Sequence, residues 1–350
     1  MSDAAKIEVG ILGATGVVGQ HFVALLANHP WFRLTWVAAS ERSAGKRYGE
    51  LPWRLATPLP EAAARLEVQA VQTGAVPKIV FSALDSSIAG EAEAAFASLG
   101  HVVLSNARNY RMDPLVPLLI PEINPQHLDV LALQRKRKRW RGAVVTNPNC
   151  STIFLALALA ALRELEPKKV LVTTMQALSG AGHPGVASLD AIGNVIPFIA
   201  GEEEKIENET RKILGDFRGE TFEAAEMAIS AQTTRVPVVN GHTEAVSVGF
   251  GNGVEREEIL VAFEKFAGKP QMLNLPSAPR RTIVYLDAVD RPQPRFDVER
   301  FGGMVVQVGR LRACPVLGHK FVLLGHNTIR GAAGAALLNA ELMKAEGLLN

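Results

Sequence analysis

Apolar positions along the chain fall into two textures. Up to about residue 150, short apolar runs alternate with helix-forming stretches. Residues 7–12 read as a buried strand, 17–26 as a helix and 34–39 as the next strand, which makes one βαβ unit. Residues 78–83 and 101–106 are two more strands, with an Ala-rich helix over 91–99 between them. This alternation predicts a doubly wound parallel sheet. Beyond residue 150, strand-like stretches crowd together at 170–175, 228–233, 244–250, 282–286 and 304–308. Few helices separate them, so a mixed sheet in an α+β unit is expected. The Ala- and Leu-rich stretch 328–348 reads as a helix that returns to the first half.

Bulk properties narrow the classes. The chain has 350 residues, room for two cored units. Hydrophobic content of 48% with 21% charged residues marks a globular protein. A formal net charge of +2 gives no global attraction to nucleic acid or to a membrane surface. Two cysteines cannot build a disulfide framework, and a cytoplasmic location is expected. The longest apolar run, 153–162, is too short to span a bilayer, and residues 1–6 lack a signal-peptide pattern. The basic run 135–141 reads as a solvated helix end rather than a nucleic-acid patch.

Three motifs carry chemistry. Gly13, Gly16 and Gly19 form GxxGxxG between a strand and a helix, the Rossmann context for a pyrophosphate at a helix N-terminus. Past the second strand come Ser40, Glu41, Arg42 and Ser43. Glu41 suits a ribose 2′-hydroxyl; Arg42 with two hydroxyls suits a 2′-phosphate and favours NADP over NAD. Cys150 follows a strand and opens the apolar helix 153–162. Unpaired N–H groups and the macrodipole there are expected to lower its thiol pKa. Cys314 lacks that setting and reads as structural. A reactive cysteine beside a nicotinamide site points to aldehyde chemistry through a thioester. His242, at a loop edge before a strand, is the candidate acid/base, with His183 as a rival.

At these residues the chain resembles the aspartate-semialdehyde dehydrogenases, in their archaeal and fungal branch. The motifs are GATGVVGQ at 13–20, SERSAGK at 40–46, NPNCST at 147–152, GEEEK at 201–205, RVPVVNGH at 235–242 and HNTIRGAAG at 326–334. The resemblance implies Cys150 as nucleophile, His242 as acid/base and Gln176 as the residue that orients the substrate. It implies Arg235 on the substrate carboxylate, Glu202 on its amino group, and Arg111 and Lys205 on phosphate. Gly13, Thr15, Gly16, Val17, Val18, Ser40, Arg42, Ser43, Ser82, Asn149, Ser179, Gly180 and Asn327 would contact NADP. No metal is implied. The expected division is a dinucleotide-binding domain over 1–149 plus 327–350, and a catalytic and oligomerisation domain over 150–326. Implied partners are a small-molecule substrate, inorganic phosphate and further copies of the chain, as homodimer or homotetramer. A malonyl-CoA reductase on the same scaffold is the rival reading.

Overall fold

The computed structural model describes residues 6–349. The N-terminal expectation therefore rests on residues that lie almost wholly outside the described ones. The first sheet has six parallel strands: β1 (Ile7–Leu12), β2 (Phe32–Ala39), β3 (Val68–Ala70), β4 (Ile79–Ser82), β5 (Val102–Ser105) and β6 (Ala143–Thr146). Their order is β3-β2-β1-β4-β5-β6, the doubly wound arrangement. Helices cover both faces, so β4, β5 and β6 are buried at every position and read as unbroken apolar runs. The order reverses between β1 and β4. Ligands bind at such a switch point, beyond the carboxyl ends of the strands.

Six helices matter for the site. They are α1 (Val17–Leu26), α2 (Ser86–Ser98), α3 (Val130–Lys138), α4 (Cys150–Ala161), α5 (Glu202–Leu214) and, at the end of the chain, α6 (Gly334–Ala345). As expected, α6 returns to the first sheet. Its Ala336, Leu337, Leu338, Ala340 and Leu342 share a core with Val9, Ile11, Phe81 and Leu104. The basic run ends α3 and is partly committed. Lys138 pairs with Asp113 at 2.6 Å, and Arg135 and Arg141 donate to the carbonyls of Gly142 and Ser98.

The second sheet is mixed, as expected. Its strands are β7 (Pro167–Gln176), β8 (Ala228–Arg235), β9 (His242–Phe250), β10 (Ile283–Leu286), β11 (Val306–Cys314) and β12 (Gly318–Gly325), in the order β8-β7-β9-β12-β11-β10. β12 was not foreseen. Gly318, His319 and Lys320 open it and mask its apolar half. β11 also begins later and runs longer than the 304–308 stretch. Helix α4 is buried along Ser151–Leu159 and packs on this sheet through Val172, Val246 and Leu323. A helix apolar all round must be enclosed; here that enclosure fixes its first residue, Cys150. No helix among the described residues is long and apolar enough to cross a membrane.

Candidate active site

The glycine turn joins β1 to α1. Gly13 has φ +76°, and a Cβ there would lie 2.5 Å from the Ala83 carbonyl oxygen, so only glycine fits. A Cβ on Gly19 would lie 2.2 Å from the Gly13 oxygen, which lets α1 sit directly on the turn. Gly16 differs: the nearest atom to an added Cβ is 3.5 Å away, and the residue is exposed. It is the N-cap of α1, which has no side-chain cap and no acidic residue in its first turn. The N–H groups around Thr15, Val17 and Val18 are thus left for an anion. Ser40 and Arg42 are exposed just past β2, and Ser43 donates its N–H to the Ser40 carbonyl at 2.8 Å. Ser82 ends β4 fully buried, with Glu93 beside it. A cleft of about 740 Å³ runs from Val17 and His21 past Ser179 to His326. The open face of Gly16, the uncapped helix and this cleft fit a dinucleotide. His183 lies exposed on the cleft wall, away from the contacts that hold His242.

Cys150 opens α4 as expected, but its surroundings push its thiol up rather than down. Burial pushes it up to about 12, and Glu202 adds to the rise. Arg111, the Ser151 N–H and Arg235 pull the other way and lose. Two of the donors at the helix N-terminus are already committed. The Asn149 side-chain oxygen accepts the N–H groups of Ser151 and Thr152 at 3.1 and 3.2 Å. The π-helical turn at Ile329–Ala333 also closes over the nucleophile: a Cβ on Gly331 would lie 2.7 Å from the Cys150 Cβ. The second cysteine is buried, in keeping with a structural role. Cys314 ends β11, where the N–H groups of Leu317 and Val316 pull its thiol down.

His242 begins β9 and is fully buried. Its Nδ1 accepts the Ala177 N–H at 2.9 Å, so the neutral ring carries its proton on Nε2. Nε2 has no partner among the described residues. Burial first, then Arg235 and His326, hold the ring well below its usual range. Arg235 ends β8 and donates from Nη1 to the Ala177 carbonyl at 2.9 Å. A Cβ on Gly180 would lie 2.9 Å from that Nη1 and 3.1 Å from His242 Nε2, so glycine there keeps the ring and the guanidinium open. Asn327 holds the two loops together: it accepts the Gly241 N–H at 2.9 Å and donates to Ser179 Oγ at 2.8 Å.

Helix α5 supplies the third wall. Glu202 accepts from Asn149 Nδ2 at 2.6 Å, from Gln176 Nε2 at 3.3 Å and from Lys205 Nζ at 2.8 Å. Burial opposes its ionisation, but Lys205 and these donors hold its carboxyl below the usual range. Of the three glutamates, Glu202 is the one in the site. Glu203 instead accepts from Thr233, and Glu204 is exposed. Arg111 is buried, with Nη2 on the Asn106 carbonyl at 2.7 Å and Nη1 on Glu209 at 3.1 Å.

Three residues escaped the sequence reading. Glu209 and Lys212 continue the face of α5 that carries Glu202 and Lys205. Lys212 Nζ donates to the carbonyls of Arg111, Asp113 and Val116 at 2.7–2.9 Å. Charges at 202, 205, 209 and 212 recur at helical spacing, a signal masked because charged helix faces are normally solvated. The third, Glu244, is fully buried behind Ser151, and burial pushes its carboxyl well above the usual range.

Comparison with known proteins finds relatives along almost the whole chain. Residues 8–131 match the family described as "Semialdehyde dehydrogenase, NAD binding domain", and residues 159–330 match "Semialdehyde dehydrogenase, dimerisation domain". The aspartate-semialdehyde dehydrogenase of Archaeoglobus fulgidus is 51% identical over 98% of this chain and 100% of its own. That of Cryptococcus neoformans is 46% identical, with complete coverage of both chains. The solved structure of the Candida albicans aspartate-semialdehyde dehydrogenase with NADP superposes with a TM-score of 0.90, at 40% identity, covering 98% of this chain and 99% of that one. The chain belongs to the aspartate-semialdehyde dehydrogenase family.

Proposed function

We propose that this chain reduces aspartyl phosphate to aspartate semialdehyde, with Cys150 as nucleophile and NADP as cofactor. The observation that carries the reading is one connected network. Cys150, Asn149, Glu202 and Gln176 meet Arg235 and His242 through Ala177, although they come from distant segments. Arg235 offers a planar fork to the substrate carboxylate, and Glu202 offers an acceptor to its amino group. Arg111 and Lys205 bring positive charge to the phosphate. Gln176 fixes the acyl group between them.

The Cys150 sulfur attacks the acyl carbon, its proton passes to the departing phosphate, and the carbon–phosphate oxygen bond breaks as the thioester forms. Burial and Glu202 oppose loss of that proton, while Arg111, the Ser151 N–H and Arg235 favour it. NADPH, when bound, would supply the hydride that reduces the thioester. Collapse of the hemithioacetal breaks the C–S bond and restores the thiolate. His242, with its proton kept on Nε2 by Ala177, donates a hydrogen bond to the substrate oxygen as negative charge builds and keeps its proton as the oxyanion collapses. The Ser151 and Thr152 N–H groups are occupied by Asn149, so Nε2–H is the better-supplied oxyanion donor. NADP would lie over Gly13, Thr15, Gly16, Val17 and Val18. Its 2′-phosphate would meet Ser40, Arg42 and Ser43, and its nicotinamide end Ser82, Asn149, Ser179, Gly180 and Asn327.

The two halves, 1–149 with 327–350 and 150–326, divide cofactor binding from catalysis and assembly. Exposed apolar side chains at Leu171, Leu189, Ile192 and Phe198 in the second half support a homo-oligomer, dimer or tetramer. Relatives at this identity favour the acyl phosphate over malonyl-CoA. The deciding assay follows phosphate-dependent NADP reduction by aspartate semialdehyde. Cys150→Ala should abolish it; retained turnover, or turnover that requires coenzyme A in place of phosphate, sinks the assignment.

A further inference from the structure

We propose that Glu209 is a positioning residue for phosphate: its carboxylate ties Arg111 to the start of the Cys150 helix and so fixes the distance between phosphate and nucleophile. This rests on the phosphate reading given above. Glu209 is 2% exposed and sits two turns along α5 from Glu202. Its Oε2 accepts the backbone N–H of Asn149 at 2.7 Å, and its Oε1 accepts Arg111 Nη1 at 3.1 Å. Asn149 is the N-cap of α4 and covalently precedes Cys150. One carboxylate therefore spans the arginine and the nucleophile's own backbone. Arg111 Nη2 is taken by the Asn106 carbonyl, while Nε is buried without a partner among the described residues. A buried, unpartnered guanidinium nitrogen is a donor in reserve, suited to an oxyanion. Lys212, one turn further on, holds the carbonyls of Arg111, Asp113 and Val116, so the backbone carrying Arg111 is fixed by the same helix.

The chemistry requires a carboxylate. Two donors converge on Glu209, and only a group with an acceptor on each arm satisfies both. A glutamine presents one acceptor and one donor, so one bond becomes a donor–donor clash. The Asn149 N–H is fixed backbone, whereas the Arg111 guanidinium can move, so Arg111 is the partner that is lost.

The test compares wild-type, Glu209→Gln, Arg111→Gln and the double variant. Losing one buried charged hydrogen bond predicts a rise of about tenfold in the KM for phosphate in E209Q. The KM values for NADP and for aspartate semialdehyde should stay within about twofold. In the R111Q background the same change should add less than about twofold, because the two residues act as a unit. An equal effect in both backgrounds, or a parallel rise in the KM for NADP, overturns the proposal. Should E209Q fail to fold, Glu209→Asp, whose arm is one methylene short, is read by the same criteria. Calorimetric titration with inorganic phosphate separates the two readings. Phosphate binding that E209Q weakens, without phosphate-dependent turnover, leaves the positioning role and removes the reaction. No phosphate binding to wild-type removes both.

Discussion

Two helices begin at the carboxyl edge of the same sheet, and they treat their first turns in opposite ways. Helix α1 starts at Gly16 with no side-chain cap and an exposed N-terminus. Helix α4 starts at Asn149, whose side chain takes the N–H groups of Ser151 and Thr152. The first keeps its donors for a ligand. The second spends them on itself and carries its nucleophile as a neutral thiol. A helix start therefore does not activate a cysteine by position alone; what matters is which N–H groups remain free. At Cys150 the activating charge has to come from Arg111 and Arg235, whose pull in the ligand-free site is outweighed by burial and Glu202.

The comparison breaks most sharply at the glycines. Gly13→Ala forces a Cβ against the Ala83 carbonyl at a positive φ, and should cost about 3 kcal/mol or more and abolish NADP binding. Gly16→Ala meets nothing closer than 3.5 Å, so its melting temperature should stay near wild-type while NADP affinity falls. Equal destabilisation by both would erase the distinction between a structural and a ligand-facing glycine. The thiol gives the next largest effect. Alkylation of ligand-free Cys150 by iodoacetamide should rise about tenfold per pH unit beyond pH 8.5. A plateau near pH 7 would mean that the cap does not silence the helix. Asn149→Ala then tests the cap directly. It also removes the Nδ2 donor to Glu202, so it should lower stability by about 2 kcal/mol or more while freeing two N–H groups, and alkylation at pH 8 should become faster despite the weaker fold.

The difference between the helix starts also explains what the sequence disclosed. The α1 turn is local: three glycines within seven positions between a strand and a helix already prescribe its geometry. Cys150, Arg235 and His242 were legible because they sit in two short motifs, NPNCST at 147–152 and RVPVVNGH at 235–242. The direction of the thiol shift was not legible, since it depends on Glu202 and on burial by the turn at Gly331, both far from residue 150 in the chain. Glu209 and Lys212 were hidden for a related reason. Charged residues on a helix look solvated until the neighbour that buries them is known, and that neighbour, the segment from Arg111 to Val116, lies about a hundred positions upstream. Strand β12 was missed because its polar opening residues break the alternation that marks a half-buried strand.

The smallest effect expected is a loss of stability in mild acid. His21, in the second turn of α1, and His127 are both held down to about 4, chiefly by burial. His127 Nδ1 faces Asn124 Nδ2 at 2.9 Å while Nε2 faces the Gly215 carbonyl at 3.1 Å. A second proton would put two donors against each other at Nδ1. Both rings titrate near 6.5 once unfolded, so below that pH the unfolded chain binds protons that the folded chain refuses. Their contribution is fully present above about 6.5 and is lost as pH falls through about 4; buried His242 acts in the same direction. Melting temperature should therefore decline progressively from pH 6.5 to 4.5, and the slope should be shallower in His127→Gln. An unchanged slope in that variant would move the acid sensitivity to the carboxylates. A shallower slope in His21→Gln, together with an unchanged pH dependence of Cys150 alkylation, would place part of it on the cofactor-side helix and none on the helix that carries the nucleophile.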